Sequence, residues 1–162
     1  MIKLKTFGSF TVGNGLTSVQ EGAWRSEKLE KLFVYLAMNR NRGVCIEDIS
    51  EAIWQVEEET DNPVGALKNL AYRLRKALRD ASFGEECIVS VRGGLYKWND
   101  DVEVTIDVEE FDRYINEAEM AFCRSKETAI ESYEKAIALY HGDFLPLRTD
   151  THWFMTLNAF YH

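Results

Sequence analysis

NPVGALKNLAYRLRKALR, residues 62–79, is the stretch on which the reading of this chain turns. It reads as one helix with a dry face and a cationic face. Asp61 or Asn62 can cap its first N–H groups, and Pro63 suits the first turn, where its missing donor costs nothing. Leu67, Leu70, Ala71, Leu74 and Leu78 recur at the spacing of a single helical stripe and form a core face. The opposite arc carries Gly65, Lys68, Asn69, Tyr72, Arg73, Lys76 and Arg79, with Arg75 at its edge. Five cations fall between Lys68 and Arg79, and no acid lies anywhere in 62–79.

That local excess stands out against an acidic whole, because the 162 residues carry a net charge of −8. Residues 1–100 hold 14 Lys/Arg and 14 Asp/Glu, whereas residues 101–162 hold 5 and 13, so the acidic excess belongs to the C-terminal part. Phosphate binding draws on cations close to the phosphate, and screening over roughly 8–10 Å lets the nearby charge dominate the distant sum. The helix therefore suits a polyanion even though the chain as a whole does not.

Length and composition allow one or two small domains with a packed core, since 46% of the residues are hydrophobic. No apolar run reaches the roughly 18–20 residues that span a bilayer, and MIKLKTFGSF lacks the uninterrupted apolar stretch of a secretory signal. Cys45, Cys87 and Cys123 are odd in number and widely spaced, which reads as reduced packing thiols in a cytoplasmic protein.

Outward from the basic helix, the chain yields an ordered set of elements. Ile2–Thr6 and Ser9–Val12 are short strands forming a hairpin around Gly8, and a third is expected near Ala23–Arg25. Ser26 caps a helix running to about Asn39, with Leu29, Leu32, Phe33, Leu36 and Ala37 on one face. A short helix from Ile46 to Trp54 and an acidic loop, Gln55–Thr60, precede the basic helix. Cys87–Val91 and Leu95–Trp98 form strands joined at Arg92-Gly93-Gly94, where glycine supplies the positive φ of a tight turn. Strands, three helices and a β-hairpin are the order of an α+β winged helix-turn-helix. In that architecture the third helix suits a major groove, and a wing at 88–98 can place Arg92 against a minor groove.

Four separated blocks carry a family resemblance: RSEKLEKLFVYLAMNRNRGV, EDISEAIW, ALKNLAYRLRKAL and VSVRGGLYKW, taken in that order. They resemble the DNA-binding domain of SARP-type bacterial regulators, a domain similar to the OmpR/PhoB-type winged helix. The following segments, IDVEEFDRYINEAE, AIESYEKAIALYHGDFLP and HWFMTL, resemble the bacterial transcriptional activation domain found beside it. The resemblance implies a winged helix over 1–100 and a TPR-like activation domain over 101–162.

Carried onto this sequence, the resemblance makes 62–79 the recognition helix, with Lys68, Asn69, Tyr72, Arg73 and Lys76 facing DNA. Asn69 suits a bidentate contact to adenine and Arg73 one to guanine. Lys68, Arg75, Lys76 and Arg79 suit phosphates, which position without specifying, and Arg92 matches the wing tip. The loop Gln55–Thr60, with Glu57, Glu58 and Glu59, falls where OmpR-type activators touch RNA polymerase. The family also implies side-by-side dimers on direct repeats of double-stranded DNA.

In the second part, Asp107 can cap a helix with Val108, Phe111, Ile115, Ala118 and Phe122 on one side. Ser125 can cap the next, in which Ala129, Tyr133, Ala136, Ile137 and Tyr140 face their neighbour. This makes about one TPR unit, fewer than a self-standing array needs, so the activation domain reads as truncated. Trp153, Phe154, Leu157, Phe160 and Tyr161 are expected to pack against the 107–140 hairpin and leave an apolar patch.

No H-E-x-x-H, Walker loop or G-x-S-x-G occurs, so neither an enzyme nor a cofactor or metal site is expected. The reading is a cytoplasmic, sequence-specific DNA-binding transcriptional activator. The alternative is a protein–protein adaptor that binds through its helical hairpin and keeps the winged helix as scaffold. A basic arc buried in the fold or in a dimer contact would favour that second reading.

Overall fold

The structure, a computed structural model, describes residues 1–55, 58, 60–83 and 86–162. Strands β1 (Ile2–Lys5), β2 (Thr11–Gly13) and β3 (Ser18–Gln20) form an antiparallel meander. Helices α1 (Glu27–Met38), α2 (Ile46–Ile53) and α3 (Pro63–Asp80) follow, then the hairpin of β4 (Ile88–Val91) and β5 (Leu95–Trp98). Strand β6 (Val104–Ile106) returns to lie parallel to β1, giving a four-stranded sheet in the order β3-β2-β1-β6. Helices α4 (Asp107–Ala121), α5 (Lys126–Leu139) and α6 (His152–Phe160) complete the chain.

The meander departs from the expected strand near Ala23–Arg25. The third strand lies earlier, at Ser18–Gln20, where only Val19 turns inward. Residues 21–25 form a turn, and Trp24 uses its ring in the core against Phe10 and Phe33, with centroids 5.4 and 5.7 Å apart. An aromatic residue that looked like a strand signal is a packing residue. Strand β6 has no counterpart in the sequence reading, because a parallel partner a hundred residues away leaves no local turn signal.

Helix α1 is the centre of the molecule. All nine residues from Leu29 to Ala37 are buried. Phe33 meets Phe10, Trp24 and Trp98 edge-on, which joins the meander to the hairpin across one side chain. Two of the nine are charged: Glu30 and Lys31, each only 2% exposed. The segment after α5 supplies their partners. Arg148, 5% exposed, hydrogen-bonds Glu30, and Asp150 pairs with Lys31. Glu30 also accepts from the Gly22 N–H at 2.7 Å, and Asp150 accepts from Gln55 at 2.9 Å.

The C-terminal helices are anchored to the sheet at Asp107. Its backbone is the first residue of α4, and Ile106 holds the cap position that the sequence assigns to Asp107. The carboxylate instead accepts from the N–H and hydroxyl of Thr6 and from the N–H of Phe7, at 2.6–3.0 Å. Arg40 at the end of α1 adds a two-point pair with Glu109, at 2.6 and 2.7 Å. Helices α4 and α5 meet through small side chains, Ala118, Ala129, Ser132 and Ala136, all buried. That close approach leaves Phe122 and Ile137 exposed, contrary to their expected inward placement.

Helix α6 also differs from expectation, because it packs mainly on the winged-helix side. Trp153 stacks edge-on against Tyr35 of α1 at 4.9 Å, and the Thr151 hydroxyl donates to the Ala52 carbonyl at 2.7 Å. Phe154 is fully buried, with the Lys31 ammonium 5.8 Å from its ring centre. Of the residues expected on the α4–α5 hairpin, Tyr161 reaches it, donating to Asp112 at 2.6 Å and packing on Phe111. Burial and that hydrogen bond raise the Tyr161 pKa. Phe160 remains 73% exposed.

Removing Arg148 strands the buried Glu30 carboxylate. Arg148→Met is expected to cost about 3–5 kcal/mol in urea unfolding, and adding Glu30→Leu should recover much of it. A loss below about 1 kcal/mol would show that the pair does not hold this segment. Burial raises the Asp150 pKa, but hydrogen bonds from Lys31 and Gln55 outweigh it and leave the value lowered. Its contribution is present above the unfolded carboxylate range and is lost as pH falls through the folded value. Asp150→Asn should therefore flatten the acid limb of the stability profile.

Candidate nucleic-acid interface

The helix opens as its sequence dictates. The Asn62 side chain accepts from the Gly65 N–H at 2.9 Å and caps the first turn, with Pro63 at the first helical position. Asn62, of the two residues considered, is the cap. Gly65 makes room for it, since a Cβ there would lie 2.5 Å from the Asn62 amide nitrogen. Leu67, Leu70, Ala71, Leu74 and Leu78 are buried, so the dry stripe is the one the spacing defines.

Burying that stripe presents the opposite face outward. Lys68, Asn69, Tyr72, Arg73, Lys76 and Arg79 are exposed, Tyr72 at 64%. Among the described residues, no carboxylate pairs with Lys68, Arg73, Lys76 or Arg79. Arg75 has different surroundings. It is half-buried, its Nε lies 2.7 Å from Glu86 and donates to the Ile88 carbonyl at 3.1 Å, and its terminal nitrogen donates to Ser90 Oγ at 3.2 Å.

The wing rises from a buried root. Ile88, Tyr96 and Trp98 are in the core, and Tyr96 exchanges backbone hydrogen bonds with Val44 at 2.7 and 2.9 Å. Register runs from Ile88↔Trp98 to Val91↔Leu95, which leaves Arg92, Gly93 and Gly94 as the turn. Gly93 and Gly94 have φ of 83° and 74°, the left-handed region that their lack of a side chain permits. Arg92 is exposed at the tip.

In the loop between α2 and α3, Glu58 pairs with Lys28 at 2.7 Å, and that hydrogen bond lowers its pKa. Glu57 and Glu59 lie outside the described residues. The roles of Glu86 and Ser90 as acceptors for Arg75 were not read from the sequence. Neither residue type nor spacing distinguishes them from ordinary strand and loop residues.

Residues 21–98 match the family model described as transcriptional regulatory protein, C terminal. The span takes in α1 to α3 and the whole wing, so the stretch similar to that family is the three-helix unit with its hairpin. Among solved structures, the chain is similar to Mycobacterium tuberculosis EmbR in complex with low affinity phosphopeptide, with a TM-score of 0.77 and 20% identity. The similarity covers 98% of this chain and 41% of that one, so the shared fold includes the C-terminal helices and this chain spans about two-fifths of its relative. No match is found among curated proteins. Among the described residues, no helix is long and apolar enough to cross a membrane.

The two faces of α3 should respond differently to truncation. Leu74→Ala is expected to cost about 2–5 kcal/mol of stability, because it opens a cavity in the core. Tyr72→Ala should change stability by less than about 0.5 kcal/mol, as an exposed position does. Equal losses in thermal unfolding would mean that the outer face is packed against protein.

Proposed function

We propose that this protein is a SARP-type, sequence-specific DNA-binding transcriptional regulator acting as an activator in the cytoplasm. Helix α3 enters the major groove and the 88–98 wing meets the adjacent minor groove. The observation that carries this reading is the open cationic arc on α3, with Arg92 at the tip of the neighbouring hairpin. An arc buried in the fold would have favoured the adaptor reading, and its exposure there supports DNA instead. Asn69 and Arg73 read adenine and guanine, whereas Lys68, Lys76 and Arg79 hold phosphates.

In this reading α4 and α5 are a TPR-like hairpin of the activation domain, two copies sit side by side on direct repeats, and the α2–α3 loop faces RNA polymerase. The acidic C-terminal part is compatible with such a role because its charges are local. Asp107, Glu109, Asp112 and Asp150 are engaged inside the fold.

Selection from a random duplex pool, followed by binding at several salt concentrations, tests the proposal. Affinity should fall steeply with salt, with a log–log slope reporting several released counterions. Arg73→Ala or Asn69→Ala should cost about 1–3 kcal/mol at particular base pairs and relax preference there. Lys76→Ala should weaken all sequences alike and lower the slope by about one. A selection that enriches no duplex removes the proposal.

A further inference from the structure

Among the described residues, Arg75 is the side chain of the basic helix that hydrogen-bonds the wing, and both of its hydrogen bonds land on β4. Nε donates to the Ile88 carbonyl and a terminal nitrogen to Ser90 Oγ, while Glu86 lies 2.7 Å from Nε and offsets the charge. Ser90 is exposed and precedes Val91 and the tip, so the brace grips β4 where the hairpin leaves the protein. On the other strand, Tyr96 is held by the backbone of Val44. A two-stranded ribbon is marginal in water by itself, and the direction of its tip depends on what holds its root.

From this geometry we infer that Arg75 is a positioning residue that sets the wing against the recognition helix, so that minor-groove contact by Arg92 depends on it. The inference rests on the DNA-binding reading given above. It assigns Arg75 a role different from the phosphate contact suggested by its place in the cationic run. A phosphate ligand adds its contribution independently of the wing. A brace contributes through Arg92, and its removal and the removal of Arg92 fail to add.

The test is a double-mutant cycle on the full chain with a duplex obtained by selection. Arg75→Met removes the donors and keeps the aliphatic stem. Arg92→Ala should weaken binding at least about fivefold in the unmodified chain and less than about twofold in the Arg75→Met background. The salt slope should fall by about one in either single variant and by no more in the double. Arg73→Ala, which leaves the brace intact, should combine additively with Arg92→Ala. Ser90→Ala keeps every cation and removes one acceptor, so a brace predicts a reduced Arg92 effect, whereas a phosphate role for Arg75 predicts no change. It also serves as the deciding variant if Arg75→Met melts early. Additive losses, a slope lowered by about two in the double variant, or an unaltered Arg92 effect in Ser90→Ala would overturn the inference. A chain that binds no selected duplex would remove the DNA-binding reading itself, which is a separate result.

Discussion

Helix α1 is buried on every side, and the rest of the structure answers to that constraint. A helix in a two-layer domain keeps one polar face for water, but from Leu29 to Ala37 α1 keeps none. Its apolar residues are covered by the meander, α2, α3 and the root of the wing. Its two charges can be buried only if opposite charges come to them, since an unpaired buried ion costs several kcal/mol. Arg148 and Asp150 bring those charges from more than a hundred residues away.

The way the C-terminal helices sit follows from this pairing. Asp107 fixes the start of α4 to β1, and Arg148 and Asp150 fix the segment before α6 to α1. Between those points α4 and α5 are held as a pair, with Met120, Ile130 and Ile137 exposed to solvent. Trp153 and Phe154 then cover the outer side of α1, and Thr151 ties the same segment to the end of α2. The helix-turn-helix therefore has its back supported by chain that follows the wing, while the outward face of α3 stays open.

Periodicity made the helices and the wing legible in the sequence. Each of α1, α2 and α3 carries a stripe at helical spacing, and the glycine pair at 93–94 marks a turn that only positive φ can close. The exposed positions of α3 followed directly from the buried ones. What periodicity could not supply was any feature made by partners distant in sequence. Glu30 and Lys31 look like ordinary solvent-facing charges until Arg148 and Asp150 are placed beside them. Asp107 looks like a helix cap until Thr6 and Phe7 donate to it. Trp153 and Phe154 look like residues awaiting a helical neighbour, and the neighbour proves to be α1. Arg75 belongs to the same group, since its spacing places it at the edge of a cationic arc and only the wing reveals what it grips.

The charge balance of the chain can be understood in the same terms. The C-terminal part is acidic in sequence, but many of its carboxylates have tasks within the fold. Asp107 holds backbone N–H groups, Glu109 holds Arg40, Asp112 accepts from Tyr161, and Asp150 neutralises Lys31. Several of these draw on donors of the first hundred residues, so acid from one end of the chain offsets cation from the other. The cations of α3 are left out of that exchange: Lys68, Arg73, Lys76 and Arg79 have no carboxylate partner among the described residues, and Arg75 has Glu86. Screening confines each ion pair's influence to about a Debye length. The net charge of −8 and an open cationic surface thus coexist without conflict, because the acids are paired or lie on other elements while the helix cations face solvent. The electrostatic field at the outer face of α3 is therefore set by its own cations, and the acids elsewhere on the chain do little to cancel it.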